Sequence, residues 1–101
     1  MVDSQEHYDS DPNKADINFH DHSITFNQAW SVYNKPSTKR RFKDYEHSTV
    51  IEKRYYALGK LKNHGVIRIN YCLRDGRIRI INAFKAGAAD CERYYFGEED
   101  F

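Results

Sequence analysis

The stretch that decides the fold is Val66-Ile67-Arg68-Ile69-Asn70-Tyr71-Cys72-Leu73, then Arg74-Asp75-Gly76, then Arg77-Ile78-Arg79-Ile80-Ile81-Asn82-Ala83. In the first run Ile67, Ile69, Tyr71 and Leu73 fall on one face and Arg68 and Asn70 on the other, the period of a half-buried strand. Arg77 to Ile80 alternates in the same way. Between them Asp75-Gly76 supplies two residues suited to the positive φ angles of a tight hairpin. Upstream, Glu52-Lys53-Arg54-Tyr55-Tyr56-Ala57-Leu58 reads as a further strand ending at Gly59, with a polar turn from Lys60 to Gly65. An earlier strand is expected around Ser37–Lys43. The block is an antiparallel meander of three to four strands with a core face and an arginine face.

Helices are expected on either side of it. Asp11-Pro12 is a helix start, Asp as N-cap and Pro in the first turn. Ala15, Phe19 and His22 follow as a narrow apolar stripe. Thr25-Phe26-Asn27-Gln28 has the form of a capping box. Phe26, Ala29, Trp30 and Tyr33 then make an amphipathic face, and Pro36 stops the helix. A short helix over about Ala86 to Phe96 places Ala88, Cys91 and Tyr95 on one side, with Gly97 as C-cap and a frayed acidic end at Glu98-Glu99-Asp100. The expected fold class is α+β: two N-terminal helices, an antiparallel three- to four-stranded sheet and a C-terminal helix, with helices on one sheet face and the other partly open.

The chain has 101 residues, 31% of them charged and 40% hydrophobic, which fits one domain over 1–101 with a core of about 8–96. The first residues, MVDSQEHYDSD, are acidic and polar and do not read as a secretory signal. No apolar run approaches the ~20 residues of a membrane span. Cys72 and Cys91 form no disulfide framework and read as free thiols of a reducing, cytoplasmic compartment. The formal net charge of +1 hides a segregation: residues 1–38 hold two bases against six acids, residues 39–85 thirteen against four, and residues 86–101 one against five. A basic middle between acidic ends suggests a surface that faces a polyanion.

Arg54, Arg68, Arg77 and Arg79 fall at alternating positions of three adjacent strands, so their guanidiniums can converge. Arginine suits phosphate because its planar fork donates two parallel hydrogen bonds and stays charged. The competing reading is a solvated sheet face in which Arg54 or Arg68 pairs with Glu52. His20-Asp21-His22 is no metal site: residues two apart on a helix diverge by about 200°, and no further ligand pair has zinc spacing. His22 reads as a helix-end residue or an active-site residue, and His47 as a loop histidine. No phosphate-cradling loop, dinucleotide fingerprint or nucleophile elbow is present, and no cofactor is expected.

The ordered set of motifs resembles the BrnT family, RelE-like toxins of bacterial type II toxin–antitoxin systems. Tyr8-Asp9-Ser10-Asp11-Pro12-Asn13-Lys14-Ala15 matches the family's opening strand and Asp-Pro-x-Lys-Ala. Asn18, Asp21-His22-Ser23-Ile24-Thr25-Phe26 and Ala29 match the next segment. His47-Ser48 leads to Glu52-Lys53-Arg54-Tyr55 and Leu58-Gly59. Arg77-Ile78-Arg79-Ile80-Ile81 matches the hairpin strand. Asn82-Ala83-Phe84-Lys85-Ala86 and Glu92-Arg93-Tyr94 complete the set. Three positions depart from the pattern: Asp21 stands for a Lys, Ser23 for a Gly and Phe84 for an Arg.

The resemblance implies a ribonuclease that inhibits translation, covered by a helical BrnA-like antitoxin in a toxin–antitoxin hetero-oligomer. Cleavage of RNA by its own 2′-hydroxyl, without metal, needs a base, cations at the phosphoryl oxygens and an acid. Arg54 and Arg79 are expected to hold the phosphate and His22 to serve as acid or base, with Glu52 a weaker base. Arg68, Arg77, Lys85 and His47 are expected to bind RNA. Two charges fewer at Asp21 and Phe84 keep two alternatives open: a weakened nucleic-acid-binding module, or an interaction protein that holds an antitoxin.

Overall fold

The computed structural model describes residues 8–35 and 39–100. In chain order it contains β1 (Tyr8–Asp9), α1 (Pro12–His22), α2 (Phe26–Tyr33), β2 (Arg40–Asp44), β3 (Arg54–Leu61), β4 (Gly65–Arg74), β5 (Arg77–Lys85) and α3 (Ala88–Phe96). The α+β class is as expected. The sheet, however, has five strands in the order β1-β5-β4-β3-β2, and it is mixed. β2 to β5 form the antiparallel meander, while β1 lies parallel to β5 through Tyr8↔Ile78 and Asp9↔Arg79. A two-residue strand carries no alternation to read. It is held by side chains: the buried Tyr8 ring lies 5.2 Å from Trp30, and Asp9 meets Arg79. The early strand falls at Arg40–Asp44; residues 36–38, including the expected stop at Pro36, lie outside the described residues.

The hairpin turn forms as its residues require, with φ of 53° at Asp75 and 76° at Gly76. Gly59 does not end β3. It sits inside the ladder opposite Ile67. The capping box is complete: Gln28 N–H donates to Thr25 Oγ1 at 3.0 Å and Thr25 N–H to Gln28 Oε1 at 2.8 Å.

Helices cover both faces, which corrects the expectation of one. Ile24, Phe26, Ala29, Trp30 and Val32, in and just before α2, close over Ala57, Ile67, Ile69, Tyr71, Ile80 and Ala83. The opposite parity of the same strands, Phe42, Tyr56, Leu58 and Val66, is buried by Ala86 and Tyr94. α3 therefore turns Tyr94 and Cys91 inward, and Tyr95 is 56% exposed rather than buried. Leu73, expected in the core, is exposed at the hairpin end. The acidic end does not fray: Arg41 N–H donates to Glu99 Oε1 and Lys43 N–H to Asp100 Oδ2, both at 2.8 Å. Those carboxylates occupy amides on the outer edge of β2, a sheet edge that would otherwise be unpaired.

The stripe expected on α1 is also corrected. Phe19 is 54% exposed, and the buried residue is Asn18. Beyond the end of β1, the edge of β5 needs an acceptor, and α1 provides one. Ala83 N–H donates to Asn18 Oδ1 and Asn18 Nδ2 to Ile24 O, both at 2.9 Å. Asn18→Ala leaves a buried donor and a buried acceptor unpaired and is expected to cost roughly 2–4 kcal/mol. Urea denaturation of the variant beside the parent measures it.

Candidate nucleic-acid interface

On the face that α3 half covers, the strand register aligns side chains in rows. One row runs Asp44, Arg54, Cys72, Arg79, Asp9; the next runs Phe42, Tyr56, Asn70, Asn82; a third runs Arg40, Leu58, Arg68, Phe84. The rows are in phase across β5 only because the ladder shifts between Asn70 and Tyr71, leaving Ile81 without a partner. This bulge puts Asn82 and Phe84 on the same side as Arg79.

The uncovered part of these rows forms a cleft of about 400 Å³ lined by Asp44, Glu46, His47, Arg54, Tyr55, Arg68, Asn70, Ile81, Asn82 and Phe84. A larger cleft of about 630 Å³ between β1, α1 and α2 holds Arg77, Asp9 and Asp16 but, among the described residues, no histidine. The smaller cleft has the residues that acid–base chemistry on a phosphate needs, and we place the candidate site there.

Of the eight expected site residues, Arg54, Arg68 and His47 line this cleft. His22 stands at its rim, its ring 5.6 Å from that of Phe84, in a neighbouring depression that shares Ile81 and Asn82. Glu52 reaches the cleft through Arg54, whose Nε donates to Glu52 Oε1 at 2.6 Å. Arg79 lies two strands further along the row of Arg54, beyond Cys72, and pairs with Asp9 at 2.5 Å. Arg77 donates to Tyr8 O in the other cleft. Lys85 is opposite Ile67 by register, so it belongs to the α2 side and is not brought together with the arginines.

Arg68 is held on all sides. It donates to Asn70 at 2.9 Å and Asp90 at 3.2 Å, approaches Asp44 at 3.6 Å, and lies 3.9 Å above the Tyr56 ring. Its side chain is 18% exposed. Arg54 is 36% exposed, and Arg74, which shares Glu52 at 3.3 Å, is 51% exposed. The hydrogen bond from Arg54 holds the Glu52 carboxyl below the usual carboxylate range, and that from Arg79 does the same for Asp9. Burial pushes the Cys72 thiol up, so this sulfur, in the middle of the row, is an inert filler.

Sequence reasoning missed three groups. Arg74 continues the Arg68, Asn70, Cys72 parity of β4. Asn70 Nδ2 donates to Asn82 Oδ1 at 2.7 Å, a pair visible only once the bulge is known. Asp44 accepts from His47 and is three residues before it.

The model of the family described as ribonuclease toxin, BrnT, of type II toxin–antitoxin system matches residues 11–90. The chain belongs to this family. Comparison with curated proteins finds no match. The matched stretch runs from the N-cap of α1 to the first turn of α3 and includes His22, His47 and the arginine-bearing strands. BrnT membership makes the chain, in general terms, a ribonuclease toxin and implies an antitoxin partner. Among the described residues no helix is long and apolar enough to cross a membrane.

The chain's departures from the BrnT pattern gather around His22. Asp21 precedes it in the depression beside Asn82, Ser23 caps α1 with φ 58°, and Phe84 meets its ring.

The Asp9 carboxyl lies below its ordinary 3.8 in the folded protein. Its contribution to stability is therefore complete above that value and is lost as pH falls through the folded one. The urea midpoint of Asp9→Asn is expected to lie below that of the parent at about pH 6, and the gap to narrow toward about pH 3. Paired titrations of the two proteins check this.

Proposed function

We propose that this BrnT toxin is a metal-independent endoribonuclease that cuts RNA by attack of a 2′-hydroxyl on the adjacent phosphorus and so inhibits translation in the cytoplasm. The observation that carries the reading is a single cleft lined by both Arg54 and His47, with His22 against Phe84 of the same lining. A cationic fork and two imidazoles supply the three roles the reaction needs: charge stabilisation at the phosphoryl oxygens, a proton acceptor and a proton donor. No cofactor enters the scheme.

Arg54 holds the scissile phosphate. Arg79 extends the row of Arg54, Arg74 adds a cation beside it through the shared Glu52, and Arg77 and Lys85 serve flanking phosphates outside the cleft. His22 transfers a proton at its rim. Glu52 is a poor base, because its bond to Arg54 favours the ionised form and weakens its hold on a proton. Its role is to hold Arg54 and Arg74 in place until a phosphate displaces it. Arg68, enclosed by Asp44, Asp90 and Tyr56, braces the cleft wall. A BrnA-like antitoxin in a hetero-oligomer would cover the same basic surface.

A second reading has its own observation. Asp21 and Phe84 remove two of the family's positive charges beside His22, which favours binding without turnover.

The test is cleavage of end-labelled RNA in EDTA, with a matched substrate carrying a single 2′-deoxy nucleotide at the cut site. The parent is expected to cut the first and spare the second, since DNA-like sugar lacks the nucleophile. Arg54→Ala is expected to lower the rate by ~10²–10³, and Arg54→Ala/Arg79→Ala further. A folded parent that binds RNA in a salt-dependent manner without product supports the second reading.

A further inference from the structure

We propose that His47 is the general base of this reaction and Asp44 its positioning residue, an assignment that rests on the ribonuclease reading above. The geometry is that of a locked imidazole. His47 Nδ1 lies 2.8 Å from Asp44 Oδ2 and 3.1 Å from Oδ1. A carboxylate only accepts, so in the neutral imidazole the tautomer that satisfies this contact has its proton on Nδ1 and a lone pair on Nε2. The Asp44 side chain is 10% exposed and that of His47 is 60% exposed. The dyad thus has its anchor buried and its imidazole exposed, lining the cleft with Arg54.

The loop is built to hold that position. Asp44 ends β2, and its Oδ1 also accepts from His47 N–H at 3.2 Å. Ser48 Oγ donates to Asp44 O at 2.6 Å and accepts from Arg54 N–H at 2.8 Å. Thr49 N–H donates to Glu52 O at 2.7 Å, and Glu52 N–H to Thr49 Oγ1 at 2.9 Å, closing the turn that leads into β3. One hydroxyl therefore ties the backbone of the base's loop to the backbone of the phosphate-holding arginine. Arg68 Nη2 lies 3.6 Å from Asp44 Oδ2, the same oxygen that meets the imidazole, and adds a second hold on the carboxylate. An exposed loop histidine with no role would need none of these restraints, and rigid support behind a reacting group is what a site requires.

In the step, His47 Nε2 takes the proton of the 2′-hydroxyl as its oxygen bonds to phosphorus. The bond from phosphorus to the 5′-oxygen breaks, and that oxygen receives a proton from His22. The products are a 2′,3′-cyclic phosphate and a 5′-hydroxyl. One proton is gained by His47 and one lost by His22, and solvent restores both.

The experiment measures kcat and KM on single-stranded RNA for the full chain and for His47→Ala and Asp44→Asn, with folding checked by amide NMR. His47→Ala, at an exposed position, is expected to lower kcat by ~10²–10⁴ with KM little changed. Added imidazole is expected to restore much of the loss. Asp44→Asn, which keeps the side-chain shape, is expected to lower kcat without raising KM. If His47→Ala cleaves at the parental rate, the proposal fails while the ribonuclease reading stands. A raised KM with no imidazole rescue would make His47 an RNA-binding residue and overturn the proposal. A folded parent that does not cleave overturns the ribonuclease reading, and the assignment with it.

Discussion

The extra residue in β5 governs what the sheet presents. Strand parity would put Arg77, Arg79, Ile81 and Ala83 on one side and Ile78, Ile80 and Asn82 on the other. The bulge at Ile81 resets the count, so Ala83 is fully buried with Ile80, and Asn82 and Phe84 join the arginines. A side chain at a bulge is free of ladder geometry, and Ile81 lines both the cleft and the depression that holds His22. Without that reset, the wall of the cleft opposite His47 would be on the other face of the sheet. Asn18 depends on the same stretch, because the amide it receives belongs to Ala83, two residues beyond the bulge.

At rest the basic face is internally neutralised. Glu52 holds Arg54 and Arg74, Asp9 holds Arg79, and Asp44 and Asp90 hold Arg68. These pairs are unequal. Exposed pairs are worth only ~0.2–1 kcal/mol and are screened by salt, so a phosphate with two acceptor oxygens can displace Glu52 from Arg54. Arg68 is less accessible and also lies over the Tyr56 ring, where leaving it unpaired is costly. An enclosed arginine and a more exposed one thus line the same cleft, Arg68 on β4 beside Asp44 and Arg54 on β3 beside Glu52.

The legibility of the molecule follows the range of its forces. β4, the Asp75-Gly76 turn and the Thr25 capping box depend on neighbours in sequence, and all three were readable. β1 was not readable by pattern, because two residues have no period; Tyr8 and Asp9 are held by Trp30 and Arg79, far away in the chain. The buried side of α1 defied apolar periodicity because its partner is a strand-edge amide, which calls for Asn18 rather than Phe19. The arginines of the site, all before the bulge in β5, were legible by alternation, whereas Asn82 and Phe84, after it, were not. The resting pairs were legible in part: Arg54 with Glu52 is a local contact, whereas Arg68 with Asp44 and Asp90 joins three elements.

Each departure from the pattern the sequence resembles has a physical consequence in the fold. At Ser23 the chain adopts φ 58°, a left-handed cap that glycine reaches without strain, which accounts for the usual residue there. At Phe84 the third row of the sheet opens into the cleft opposite Arg68, so an arginine there would add a second cation to the wall facing His47. A phenyl ring in that place contacts His22 instead and makes the wall apolar, shifting the work of charge stabilisation onto Arg54 and its row. Asp21, on the other side of His22, adds a negative charge where a lysine would have attracted the RNA backbone. Both changes remove positive charge beside His22, on the α1 side of the cleft, and leave the β2–β3 side, with His47 held by Asp44 and Arg54 by Glu52, as it is.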